Sequence, residues 1–127
     1  MDCGRIAGME GEDFSAIQYL YLTTTGRKTG LPREIEIWFV AHADRFYILA
    51  EHFHRAQWVR NLIANPRVQV RLAGREFTAT ARVLDEQQDA TLYKLAQQLA
   101  LEKYGWGDGL PVEITPDEHT DNRQADK

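Results

Sequence analysis

The stretch Arg67-Val68-Gln69-Val70-Arg71-Leu72-Ala73-Gly74-Arg75-Glu76-Phe77-Thr78-Ala79-Thr80-Ala81-Arg82-Val83 alternates apolar and polar residues on both sides of a glycine-bearing turn. Val68, Val70 and Leu72 face one way and Gln69 and Arg71 the other; Phe77, Ala79, Ala81 and Val83 then alternate with Thr78, Thr80 and Arg82. Side chains of an extended chain repeat with a period of two, so each half reads as a strand with one apolar face, and the turn makes them an antiparallel hairpin. Upstream, Glu34–Val40 and Phe46–Ala50 form a second strand pair joined by a polar loop through His42-Ala43-Asp44-Arg45. Tyr19-Leu20-Tyr21-Leu22-Thr23, rich in β-favouring residues, is a strand before it. Between the hairpins the period changes: Trp58, Val59, Leu62 and Ile63 fall at helical spacing, and Asn65-Pro66 stops the helix. After the last strand, Asp85-Glu86-Gln87-Gln88 resembles a capping box, and Leu92, Leu95, Ala96 and Leu99 mark an amphipathic helix closing near Gly105.

The expected fold class is therefore mainly β: about five strands in hairpin order with accessory helices. So few strands bury an interior only by curling into a small antiparallel barrel. Residues 14–114 are expected to make a single domain, preceded by a flexible N-terminus over residues 1–13. Thr115–Lys127, polar with four acids and no large apolar side chain, is expected to be a disordered acidic tail.

With 127 residues, 43% hydrophobic and 27% charged, the chain is neither collagen-like nor wholly disordered. Its longest apolar runs, around Ile37–Ala43 and Phe46–Ala50, are far short of the ~20 residues a membrane span needs. Met1–Asp13 is acidic and glycine-rich, unlike an export signal, and the single cysteine, Cys3, cannot form an internal disulfide; both suit the cytoplasm. The net charge of −4 hides an asymmetry: Leu20–Leu84 carries ten basic and five acidic residues, the remainder five and fourteen. A basic centre in an acidic protein points to a small anionic ligand and away from nucleic acid, which needs a basic stripe on a basic domain.

That centre holds Thr23-Thr24-Thr25-Gly26-Arg27-Lys28-Thr29-Gly30, followed by Pro32-Arg33. Glycines let backbone amides approach a ligand, successive amides can form an anion nest, and Arg27, Lys28 and Arg33 supply matching charge. The same residues would also make an ordinary hairpin turn kept soluble by its cations. The Walker spacing is absent. Trp58 and Asn61 could contact a planar ring, or Trp58 and Leu62 could be a helical core pair with Asn61 exposed.

Together these two features resemble a known family. Tyr21-Leu22-Thr23-Thr24-Thr25-Gly26-Arg27-Lys28-Thr29-Gly30-Leu31-Pro32-Arg33 is similar to the signature of the deazaflavin-dependent nitroreductases, which include quinone reductases. Trp58-x-x-Asn61-Leu62-x-Ala64-Asn65-Pro66-x-Val68-x-Val70 matches that family's second block at the expected distance. The resemblance implies a split β-barrel akin to the FMN-binding, pyridoxamine-phosphate-oxidase-like folds. It implies the coenzyme F420, with FMN as the alternative taken by wider relatives, and hydride transfer to a small-molecule acceptor such as a quinone, an activated alkene or a nitro compound. A non-enzymatic flavin- or haem-binding protein of the same fold is the further alternative. Carried over by position, Arg27, Lys28 and Arg33 would hold the coenzyme's phosphate with Thr25, Thr29 and the amides of Gly26 and Gly30. Ala50 would lie near the ring, flanked by Trp58 and Asn61. Both homodimers and monomers are implied by the relatives.

Between Ala50 and Trp58 stands Glu51-His52-Phe53-His54-Arg55-Ala56-Gln57, bulkier and more charged than the small glycine-containing loop of the family. His52 and His54 would share a face of an extended segment, but no Cys or acidic cluster completes a metal set, so no metal is expected. Tyr104, after the closing helix, could reach the barrel mouth as a proton donor or could simply pack the helix end. Gly105-Trp106-Gly107-Asp108-Gly109 reads as a flexible aromatic loop, a lid or a subunit contact.

Overall fold

The computed structural model describes Phe14 and residues 16–117. The elements in chain order are β1 (Tyr19–Thr25), β2 (Pro32–Trp38), β3 (Val40–His42), β4 (Arg45–Ala50), a 3₁₀ turn (Phe53–Arg55), α1 (Gln57–Ala64), β5 (Arg67–Leu72), β6 (Arg75–Val83), α2 (Ala90–Tyr104) and β7 (Leu110–Pro116). The class is mainly β as expected, with seven strands where the sequence suggested five.

All neighbours pair antiparallel, in the order β2-β1-β5-β6-β7-β4-β3. The two edge strands, β2 and β3, are separated in the chain by Phe39 alone, so the sheet has to curl until its edges nearly meet. This junction splits the run read as one strand over Glu34–Val40: β2 pairs only with β1 and β3 only with β4. The β3–β4 and β5–β6 hairpins turn at Ala43-Asp44 and Ala73-Gly74, all with positive φ (52°, 66°, 53° and 80°). That geometry matches the right-handed twist of the flanking strands.

Inside the barrel, Leu20 and Leu22 of β1, Phe46 and Ile48 of β4, Val68, Val70 and Leu72 of β5, and Val112 and Ile114 of β7 form one core, plugged by Leu62 of α1. Each fully buried aliphatic side chain contributes about 1.5–3 kcal/mol. The alternate residues of β4, Tyr47 and Leu49, are buried on the outer face under α2, where Ala96 and Ala100 let the helix lie close. No helix among the described residues is long and apolar enough to cross a membrane.

Three expectations need correction. β7 is a strand the sequence does not announce, and it runs through Thr115 and Pro116, inside the stretch expected to be a disordered tail; residues 1–13, expected to be flexible, and residues 118–127 lie outside the described residues. The Gly105–Gly109 segment is packed rather than a lid. Gly105 caps α2 in the left-handed conformation, and a Cβ on Gly107 would come within 2.2 Å of the Gln97 carbonyl oxygen. Gln97 Nε2 donates to the Gly109 carbonyl at 3.0 Å, tying the segment to α2. At the other end of α2, Asp85 does accept from the amides of Gln87 and Gln88, but this caps a separate turn, and α2 starts at Ala90.

Candidate functional site

The elbow between β1 and β2 closes on itself. Gly26 N donates to the Leu31 carbonyl (2.8 Å) and Gly30 N to the Gly26 carbonyl (2.7 Å). The two amides expected to hold an anion are therefore already paired. The amides of Lys28 and Thr29 between them have no partner among the described residues. A Cβ on Gly26 would meet Thr29 Oγ1 at 2.8 Å and Arg33 Nε at 3.5 Å, so both side chains fold over that glycine. Lys28 and Arg33 have no ion-pair partner among the described residues, and the neighbouring Glu34 is paired with Arg71 at 3.2 Å. Thr25 sits half-buried at the end of β1.

Arg27 has a different task. Its amide (3.2 Å) and Nη1 (2.9 Å) both donate to Asn61 Oδ1, and its Nη2 donates to Gln57 Oε1 (2.8 Å). Asn61, 5% exposed, gives its own amide hydrogen to the buried Thr24 hydroxyl at 3.3 Å. Asn61 is thus fixed by the elbow rather than turned toward a ring, and α1 is docked on the elbow through its first and second turns. A buried amide with its hydrogen bonds made is a rigid joint; left unmade they would cost about 1–3 kcal/mol each.

Beside α1 opens a cavity of about 620 Å³. Its walls are the rings of Trp38, Trp58, Trp106 and Tyr104, with Glu51 and His52 on the loop after β4. Trp58 therefore stands at the cavity wall. It is the residue after Gln57, which carries Arg27, so elbow and cavity flank the same helical turn. Ala50 is not in the wall: it is 1% exposed, paired with Leu110 and covered by Gly109. The polarity of the two regions is opposite. The elbow presents cations, whereas the charged groups lining the cavity include Glu36 and Glu51.

Tyr104 is the last residue of α2 rather than a residue beyond it; it lines the cavity, and its hydroxyl is taken up by backbone groups. Oη is 2.8 Å from the Phe39 carbonyl and 2.7 Å from that of Gln18, and it accepts from Phe39 N at 3.2 Å. Burial raises its pKa. The ring stacks on Trp38 at 4.3 Å and 4°. Lys103 Nζ reaches the carbonyls of Ile17 (2.7 Å) and Phe39 (3.1 Å), so the end of α2 clasps the junction between the barrel's two edges. Tyr47, whose ring also lines the cavity, donates to the buried Glu113 carboxylate at 3.0 Å. Burial first, and that carboxylate second, push its pKa up to about 12. Glu113 is neutralised by Arg45 (3.1 Å) and Arg82 (3.2 Å).

Trp38 and Glu36 line the cavity without any signal in the sequence, whereas Glu51 and Trp106 lie in the two segments, Glu51–Gln57 and Gly105–Gly109, whose composition stands out there. His52 lines the cavity, while His54 holds Arg60 Nε on its carbonyl at 3.0 Å. Among the described residues no three His, Cys, Asp or Glu side chains come together to hold a metal ion.

Comparison with known proteins adds to this geometry. The pattern of a family described as F420H(2)-dependent quinone reductase matches residues 3–115. Among solved structures, an F420-H2 dependent reductase, FDR-A, superposes with a TM-score of 0.60 at 25% identity, covering 80% of this chain and 95% of that one. The heme storage protein HutZ from Vibrio cholerae gives 0.66 at 21%, covering 82% and 85%. A putative pyridoxamine 5'-phosphate oxidase from Listeria innocua gives 0.64 at 13%, covering 82% and 87%. The fold is the split barrel of these proteins.

Proposed function

The chain belongs to the F420H(2)-dependent quinone reductase family, and we propose that it binds F420 with its phosphate on the elbow and its ring in the aromatic cavity, and reduces a quinone, enone or nitro compound. The observation that carries this reading is an elbow whose Lys28 and Arg33 have no ion-pair partner among the described residues, tied through Arg27 to the turn of α1 that brings Trp58 to the cavity wall. The residues present fit the coenzyme's two ends. Lys28 and Arg33, with the unpartnered amides of Lys28 and Thr29, would hold the phosphate; Thr25 and Thr29 would add hydroxyls. Trp58 would lie against the ring. Arg27 and Asn61 position α1 and so fix the angle between the two ends. When bound, reduced F420 supplies the hydride. The protein's part is to orient the ring and acceptor, and to exclude water with the rings of Trp38, Trp58 and Trp106.

The proposed compartment is the cytoplasm. A structural neighbour described as a domain-swapped dimer, 25% identical with a TM-score of 0.60, supports a homodimer, which light scattering tests.

Side-by-side titration with F420 and FMN, read by tryptophan fluorescence and calorimetry, tests the assignment. F420 should bind, and Lys28→Ala and Arg33→Ala should each weaken it about tenfold, the loss of one charge-assisted contact. Yellow protein releasing FMN on denaturation would put FMN in its place. Failure of both ligands to bind would remove the oxidoreductase reading, and a Soret band on haem addition would then favour a carrier.

A further inference from the structure

A two-electron reduction of a quinone needs a proton as well as a hydride, and the cavity contains few groups able to give one. Among the described residues six titratable side chains line it: Tyr19, Glu36, Tyr47, Glu51, His52 and Tyr104. Tyr47 is bonded to Glu113, Tyr104 to the backbone of Phe39 and Gln18, and Glu36 accepts from Tyr21 at 2.6 Å. That leaves Tyr19, Glu51 and His52 without a hydrogen bond from the side chain to any described residue. Carboxyl groups ordinarily hold no proton at neutral pH and phenols release theirs only near pH 10, whereas imidazole exchanges protons between pH 5 and 8.

The geometry points to His52 as the proton donor to the acceptor, an inference that rests on the proposed function and extends it. The residue stands two positions after β4, on a loop with fixed backbone. Arg55 N donates to the His52 carbonyl (3.1 Å), Ala56 N to that of Phe53 (3.3 Å) and Arg60 Nε to that of His54 (3.0 Å). Phe53 takes a φ of +54°, a conformation a bulky side chain rarely adopts and one that recurs at functional sites. This loop is thus held in one shape, with His52 in the cavity wall and His54 outside it. His52 is also exposed, so water can restore its proton.

The step balances as follows. The quinone accepts a hydride, with reduced deazaflavin as the two-electron donor and its remaining ring proton released to water. The quinone oxygen left with the electron pair forms a bond to the imidazolium proton as the N–H bond breaks. The products are hydroquinone and neutral His52, which takes its next proton from solvent.

The test compares menadione with methylene blue, a cationic dye that becomes neutral on accepting hydride and needs no further proton. His52→Gln should lower the menadione-to-dye rate ratio about a hundredfold, within the range of general acid catalysis, and His54→Gln should leave that ratio unchanged. A second readout needs no turnover: the His52 imidazole proton resonance, assigned by its loss in His52→Gln, should move when menadione is added to coenzyme-free protein. An unchanged ratio in His52→Gln, or a stationary resonance at menadione concentrations that quench tryptophan fluorescence, overturns the inference while leaving the proposed function standing. A wild-type protein that oxidises reduced F420 with neither acceptor overturns both.

Discussion

The elbow and the cavity face each other across the first turn of α1 and are built on opposite plans. The elbow is one uninterrupted stretch, Thr25–Arg33, whose conformation is closed by its own backbone bonds. The cavity is assembled from β1, β2, β3, β4, the loop after β4, α1, α2 and the segment after it, and no two of its tryptophans lie close together in the chain. One is cationic and exposed, the other aromatic with acids near its wall. The difference teaches that the cationic elbow is a local property of sequence, whereas the aromatic cavity is a property of the closed barrel. Damage to barrel closure should therefore disable the cavity first, and damage to the joint between them should disable both.

Gly107→Ala is the sharpest way to separate the two. The new methyl group would meet helix backbone at Gln97, which cannot swing aside as a side chain can. We expect a loss of about 3 kcal/mol, the upper end of overpacking costs, and a displaced Trp106 wall. In a domain of this size that lowers the melting temperature by more than 10 °C, at roughly 4–8 °C per kcal/mol. Phosphate-end binding should persist below the transition, measurable with a ring-free anionic fragment of the coenzyme. Equal loss of fragment and whole-coenzyme binding would mean that the two regions are not separable.

Asn61→Ala attacks the joint instead. It removes the acceptor of two Arg27 donors and leaves the buried Thr24 hydroxyl without its donor. The expected cost is about 2 kcal/mol, seen as a shift of the urea midpoint, together with weakened binding of fragment and whole coenzyme alike. Binding unaffected by the substitution would show that α1 does not set the geometry of the elbow.

The same contrast explains what could be read in advance. The β5–β6 hairpin and the elbow declare themselves because alternation and glycine placement are short-range signals. β7 does not: it is buried on both faces, so alternation is lost, and Pro111 and Pro116 with the glycines before it imitate a loop. Phe39 sits in an unbroken apolar run, and only the pairing of β2 with β1 and of β3 with β4 reveals that the strand breaks there. Asn61 stands out through its place in a family motif, but its partner Arg27 lies 34 residues away, and that the two join α1 to the elbow follows only from that contact. Tyr104 reads from the sequence as following the closing helix, whereas it is that helix's last residue, and which atoms its hydroxyl meets depends on where Phe39 and Gln18 arrive.

The smallest effect expected is Tyr47→Phe, which probes the cavity floor and leaves the elbow untouched. At neutral pH the loss of one hydrogen bond to Glu113, which keeps Arg45 and Arg82, should cost about 1 kcal/mol. The informative difference is at high pH. An unfolded tyrosine gives up its proton near pH 10.0, whereas Tyr47 in the folded protein holds it to about 12, so in that window unfolding releases a proton. The contribution is present below pH 10.0 and is lost as the pH rises through about 12. Wild-type stability should therefore fall across this window, and Tyr47→Phe should flatten part of the fall. Tyr93 and Tyr104, whose pKa values are raised first by burial, and Tyr21, raised first by its hydrogen bond to Glu36, act in the same sense and keep the remainder. Urea midpoints at pH 8, 10 and 11, values chosen to bracket the ordinary tyrosine range of about 10, check this. Arg33→Ala should follow the wild-type limb, because the elbow takes no part in it; a limb of equal steepness in Tyr47→Phe would show that Tyr47 does not set the alkaline sensitivity.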